Sequence, residues 1–217
     1  MILEKMAQFF DTRLESYDAH MLQEIEGAQA FYPYTASLLP VAPGAAVLDL
    51  GCGTGLELEY FFAKNPTAMV TGIDLAPGML RALEQKFPEK DLRLILGSYF
   101  DVPFGEEVFD AAVSVESLHH FTQAEKIPLY QKLSAALKPG GYFVLTDYFA
   151  QNDAEEKALQ QQLRQLKQEQ GIKDLEFYHF DTPLTVVHEQ EALLASNFTR
   201  VEVLANWGAT YTLKAVK

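Results

Sequence analysis

The chain has little cysteine, little positive charge and no long hydrophobic run, and each shortage excludes something. Cys52 is the only cysteine in 217 residues, so no internal disulfide can form. Its five histidines, His20, His119, His120, His179 and His188, fall at no spacing that suits zinc, and no metal is expected. No stretch of about 18 uncharged apolar residues occurs, which argues against a membrane span. The opening MILEKMAQFFDTRLESYD carries acids early and lacks an apolar core with a cleavage site. No secretory signal is expected there, and a cytoplasmic location is the default. Lys and Arg number 17 against 30 Asp and Glu, a formal net charge of −13 without a basic cluster. A polyanion is held mainly by cations that neutralise its phosphates, so nucleic acid is disfavoured as a partner. With 48% apolar and 22% charged residues, and no internal repeat or low-complexity linker, the rest reads as one globular domain.

Within that domain the segment AAVLDLGCGTGLELEYFF, residues 45–62, is the most informative. Val47, Leu48 and Leu50 read as a buried parallel strand, and Leu56, Leu58, Phe61 and Phe62 then spread over a helical period. Between them Gly51, Gly53 and Gly55 allow positive φ and let another molecule approach the backbone. The first amides of the helix face that molecule as donors. The G-x-G-x-G spacing is neither the dinucleotide fingerprint nor a phosphate loop, whose G-K-[ST] is absent. A second apolar run, AMVTGIDL, ends at Asp74, 19 residues beyond Gly55, where doubly wound sheets place an acid against a ribose. These residues point to an adenosine-containing ligand.

VLDLGCGTG, GIDLAPGML, LILGSYFDVPF, FDAAVSVESLHHF and LKPGGYFVLTDYF follow in that order. Together they make the chain resemble the class I S-adenosylmethionine-dependent methyltransferases, over roughly residues 17–217 and most closely their small-molecule branch with a methyltransferase-type Rossmann-like domain. The resemblance implies an α/β fold: a doubly wound, seven-stranded, mostly parallel sheet with helices on both faces, the last strand antiparallel, and an N-terminal helical lid. It also implies S-adenosylmethionine as cofactor and S-adenosylhomocysteine as product. Cofactor contacts are then expected from Tyr17, Asp49, Gly51, Cys52, Gly53, Gly55, Asp74, Leu75, Met79, Ser98, Tyr99 and Val115. Asp49 would brace the loop and meet the amino group, Asp74 would clasp the ribose, and Ser98 and Tyr99 would border adenine. Where the family usually carries an acid after the glycine of its third strand, this chain has Ser98 after Gly97. Neither the N-P-P-Y element of adenine-directed DNA enzymes nor the Pro-Cys nucleophile of cytosine-directed ones is present.

Periodicity gives helices over the first forty residues and alternating strands and helices beyond, and the resemblance implies residues 1–40 as a helical lid, 41–150 as the cofactor-binding core, 151–185 as a helical insertion and substrate lid, and 186–217 as a C-terminal helix and strands. Pro33 and the stretch from Pro40 to Pro43 are expected to end the N-terminal helices. Strands are expected at 92–96, 109–115, 142–148, 199–204 and 210–216. Helices are expected from Pro77 to Phe87, at 123–137, at 158–171 and at 189–195. FYHFDTPLT, from Phe177, reads either as a substrate-pocket wall or as a core strand with Tyr178 and Phe180 inward.

The implied chemistry is in-line transfer of a sulfonium methyl to a small molecule, for which alignment and exclusion of water matter most. If the acceptor is a hydroxyl or ammonium, a base must take its proton, and His179, Tyr178, Glu116 and His120 are the candidates in falling order. For His120 a packing role is favoured, and its neighbour His119 is not expected to share its direction on a helix. Two alternatives stay open: another adenosyl-cofactor transferase of the same fold, as aminopropyl transferases are, or a non-catalytic protein that binds the cofactor or its demethylated product. The acceptor is not legible, and a homodimer is left open.

Overall fold

Seven strands form one sheet in the computed structural model, which describes residues 1–173 and 175–217. They are β1 (Ala46–Leu50), β2 (Met69–Asp74), β3 (Asp91–Leu96), β4 (Phe109–Val115), β5 (Leu137–Tyr148), β6 (Arg200–Trp207) and β7 (Thr210–Val216). Their order is β3-β2-β1-β4-β5-β7-β6. The pairs from β3 across to β5 are parallel, and β7 runs antiparallel between β5 and β6. Chain order reverses at β1, which lies between β2 and β4. Loops leaving the carboxyl ends of β1 and β4 therefore part there, and the crevice between them is where such sheets bind ligands.

Period-two alternation sorts the core into two layers. Leu48, Leu50, Ala112, Leu145 and Leu213 pack on one face with residues of α6 (Gln123–Ala136) and α8 (Val186–Leu194). Val47, Val70, Val113 and Val144 pack on the other with α3 (Ala28–Ser37), α4 (Leu56–Lys64) and α5 (Pro77–Lys86). Both faces of the central strands are covered, which is why β1 and β4 read as near-continuous apolar runs. Two short helices, α1 (Met6–Thr12) and α2 (Leu14–Glu24), precede α3, and α7 (Asp153–Glu169) follows β5. Among the described residues no helix is long and apolar enough to cross a membrane.

Several boundaries differ from the sequence expectation for identifiable reasons. Pro33 does not end its helix but lies inside α3. The loss is confined to one backbone donor, and Phe31, Tyr32, Thr35 and Ala36 around it are buried. β5 starts at Leu137 rather than Tyr142, because Phe109 pairs with Leu137 across an irregularity before the regular ladder begins. α7 starts at Asp153, five residues ahead of the expected 158. Its N-cap is Asn152, whose side chain accepts from the Glu155 amide at 3.0 Å. Residues 177–182 form no strand of their own: they run alongside the N-terminus through one antiparallel bridge, Lys5 to Tyr178.

Candidate functional site

The turn after β1 is held in a shape that only glycine adopts without strain. Gly51, Gly53 and Gly55 have φ of 74°, 47° and 72°. A Cβ on Gly51 would lie 2.0 Å from Ser117 Oγ, so the space is closed to any side chain. The amides of Gly51 and Cys52 donate to the Ile73 carbonyl at 2.9 and 3.2 Å and tie the turn to β2. Asp74, at the end of β2, accepts from the Gly53 amide at 2.9 Å and from the Ala76 amide at 2.8 Å. Burial raises its pKa against those two amides. A carboxylate has about four lone-pair sites, so both oxygens can still accept hydroxyl protons.

Over this turn lies a small cleft of about 40 Å³, lined by Tyr17, Gly51, Gly53, Asp74, Leu75, Met79 and Tyr99 among others. Seven of the twelve expected cofactor residues thus face it. The other five sit elsewhere. Asp49 is buried behind the turn, and Cys52 packs its sulfur against Gly72. Gly55 lies against Leu83, where a Cβ would come within 2.4 Å. Ser98 spends its hydroxyl on the Phe100 amide at 3.1 Å, and Val115 lies at the end of β4. The cleft is closed by α1 and α2, as a lid would close it. Asp11 accepts from the Gly78 amide at 2.7 Å, while Asp18 accepts from Thr54 Oγ1 and from Lys86 Nζ, the latter at 2.8 Å. Such a volume holds a few waters, less than an adenosyl ligand occupies.

Beside the turn, Asp49 Oδ2 and Glu57 Oε1 are buried without hydrogen-bond partners. Burial pushes both carboxyls up, and the charge of Glu57 adds to the shift of Asp49. The two carboxyls lie behind the turn and act on each other. A turn closed to side chains and an acid with spare lone pairs fit a ligand that brings ribose hydroxyls to Asp74, as S-adenosylmethionine does.

A much larger cavity, about 680 Å³, adjoins the cleft. Phe10, Tyr17, Glu116 and His120 line both. Its deeper wall carries a titratable cluster built on a 3-10 turn, Leu118–His120. His119 Nδ1 lies 2.6 Å from Asp147 Oδ1, and Asp147 Oδ2 accepts from the Leu118 amide at 2.9 Å. Burial works against the charged His119 ring, but Asp147, Asp181 and Glu116 outweigh it and hold its pKa at about 9. Glu116, in a left-handed conformation at φ 48°, is pushed up to about 7 by burial and by Asp147, with His119 opposing. Its Oε1 accepts from Thr210 Oγ1 at 3.1 Å. His179 stacks on Phe9 with ring centroids 3.5 Å apart, and burial together with His120 lowers its pKa to about 4.

Of the four expected proton acceptors, Glu116, His120 and His179 reach the cavity. Tyr178 is not among its lining residues. It makes the bridge to Lys5, and its ring lies 5.4 Å from Lys167 Nζ, on the side of the extended segment opposite His179. The two adjacent histidines do converge, with ring centroids 4.1 Å apart, contrary to the expectation for a helix. The 3-10 turn is three residues long and Phe121 leaves it extended, so helical divergence never develops. Sequence reasoning weighed His119 beside His120 and put Asp181 in a possible pocket wall, but did not join them, because nothing in linear spacing brings residues 119, 147 and 181 together. The one available signal was Asp147 at the mouth of a strand beside the histidine turn.

A seven-stranded sheet in this order, with a glycine turn after β1 and an acid ending β2, is the Rossmann-like methyltransferase fold. Residues 47–141 match the family model described as a methyltransferase domain. The chain is similar to an uncharacterized methyltransferase of Synechocystis, 32% identical over 123 residues that cover 57% of this chain and 56% of that protein. The matched part therefore spans little more than half of that curated relative. Among solved structures, a Nostoc punctiforme protein provisionally named an O-methyltransferase superposes with a TM-score of 0.72 at 19% identity, covering 100% of this chain and 63% of that one. DesVI of Streptomyces venezuelae gives 0.67 at 19% identity, over 94% of this chain and 98% of its own. Likeness at that identity speaks for the fold. The family match covers residues 47–141, and over that segment the chain is similar to methyltransferase domains.

Proposed function

We propose that the protein transfers the methyl group of S-adenosylmethionine to a small-molecule acceptor. The observation that carries this reading is the wall of Phe10, Tyr17, Glu116 and His120 common to cleft and cavity. A nucleophile seated in the cavity faces the cleft through that wall. When bound, the cofactor supplies an activated methyl carbon on a sulfonium leaving group. Asp74 holds the ribose, and Gly51 and Gly53 let the backbone approach the ligand. Phe10 and Tyr17 keep water from the path between the two sites, which favours alignment over hydrolysis. Glu116 takes the proton of an acceptor hydroxyl or ammonium, since it is the carboxylate that borders both spaces.

Two further observations support a small acceptor. The cavity, at about 680 Å³, has the size of metabolite sites. A net charge of −13 opposes binding of a polyanion. Incubation with methyl-labelled cofactor and fractionated metabolite pools tests the reading. Label should appear in a small organic product and be strongly reduced with Glu116→Gln. Tight cofactor binding with no transfer to any pool would replace the enzyme by a binding protein, and label in RNA or protein would overturn the acceptor class.

A further inference from the structure

Two histidines and an aspartate in the cavity wall aim at one point. His119 Nε2 lies 3.6 Å from Asp181 Oδ1, and His120 Nδ1 lies 3.2 Å from the same oxygen. One ligand atom from each residue falls within 4.8 Å of the other two. Metal bonds to imidazole nitrogen and carboxylate oxygen are about 2.0–2.2 Å, so neighbouring ligands sit roughly 3.0–3.6 Å apart around a four- or six-coordinate ion. Both separations from Asp181 fall in that range. We propose that His119, His120 and Asp181 form a binding site for a divalent transition-metal ion of the zinc, iron(II) or manganese class, with its remaining positions open to the cavity.

What surrounds these residues is arranged as for such a site. Asp147, 1% exposed, engages His119 Nδ1 at 2.6 Å. A carboxylate on the far nitrogen fixes the ring and leaves Nε2 as the ligand atom, an arrangement metal-binding histidines share. The Thr182 amide donates to the His119 carbonyl at 2.8 Å, which pins the Asp181 segment to the histidine turn. Asp181 is half-exposed and lines the cavity, so an ion has a path in. His120 Nδ1 also lies 3.3 Å from the Phe180 carbonyl, and ligation takes the place of that contact. Glu116, His119 and Asp147 make a second grouping. It is the poorer one, because it calls on the His119 nitrogen that Asp147 already occupies.

The site stands on its own geometry. Only its further role, holding an oxygen-bearing acceptor as a Lewis acid, rests on the methyl-transfer reading. Protein stripped with chelator and dialysed is titrated with cobalt(II) and zinc(II) by calorimetry and visible spectroscopy. One ion should bind per chain, with cobalt d–d absorption. Asp181→Asn, at a half-exposed position, should weaken binding at least ten-fold with an unchanged circular dichroism spectrum and melting point, and His120→Ala should weaken it likewise, with a lower melting point from the space its buried ring leaves. His188→Ala removes a separate histidine that pairs with Glu156 at 2.8 Å, and should bind as the wild type does. Absence of saturable binding, binding unaffected by Asp181→Asn, or binding abolished by His188→Ala would each overturn the site. Cofactor affinity, measured on the same stripped protein, reports on the methyl-transfer reading separately.

Discussion

The cleft proposed for the cofactor and the cavity proposed for the acceptor are built on opposite plans. On the cofactor side the chain makes its site mostly from backbone: a glycine turn, the amides of Gly53 and Ala76, and one carboxylate that they hold. All of it comes from residues 46–80. On the acceptor side the working parts are side chains, and they arrive from α1, the end of β4, the end of β5 and the extended segment near residue 180. A backbone site is specified locally and fails together with the fold. A convergent site can lose its chemistry while the fold stands.

The largest expected effect lies on the acceptor side. Glu116→Gln should lower the transfer rate by about 10²–10⁴-fold, the usual worth of a positioned base, with cofactor affinity and melting temperature nearly unchanged. Assayed with chelator present, wild-type rate should climb as pH rises through about 7, where Glu116 gives up its proton and becomes able to accept another. The Gln variant should lack that limb. Retention of both rate and limb would show that the side chain is not the acceptor of the proton.

Next comes Gly51→Ala, which forces a left-handed φ on a residue with a Cβ and drives it toward Ser117. Strain and overpacking together should cost about 2–4 kcal/mol. Urea unfolding and calorimetric binding should both show the loss, because one piece of backbone supplies both. A variant that binds poorly yet unfolds normally would break the contrast drawn here. Asp74→Ala should be smaller, about 1.5–3 kcal/mol in cofactor affinity for a charge-assisted pair. Calorimetry with S-adenosylmethionine measures it, and unchanged affinity would remove Asp74 from the ribose. The smallest effect belongs to Asp18→Asn, which weakens a partly exposed pair with Lys86. No more than about 1 kcal/mol of stability should go, while stopped-flow cofactor exchange should quicken as the latch on α2 loosens.

The same contrast explains what could be read from the residues in order. β4 and β7 fall at the residues their apolar runs indicated, because buried strands announce themselves within a few positions. Gly51, Gly53 and Asp74 were legible for a like reason: strand, turn and acid are near neighbours in the sequence. Ser98 was hard to place because its hydroxyl could serve adenine or a local turn, and in this structure it accepts from the Phe100 amide. Glu116 ranked behind His179 and Tyr178 because its position on the shared wall is a tertiary fact. Tyr178 and His179 could not be told apart until the bridge to Lys5 fixed which of them faces the cavity. That His119 and Asp181 meet beside Asp147 was beyond reach, since no period links the three.

One small feature of the N-terminus ties these two halves into a single moving part. The Met6 amide donates to the Phe177 carbonyl at 2.9 Å and the His179 amide to the Glu4 carbonyl at 3.0 Å, while Asp11, a turn and a half further on, grips Gly78. α1 is thus a crossbar, riveted at one end to the wall that presents His179 and at the other to the helix flanking Asp74. On the proposed function, any lifting of this crossbar to exchange the nucleoside would also pull on the cavity wall, so the kinetics of the two ligands should be interlocked, each one's departure timed by the other.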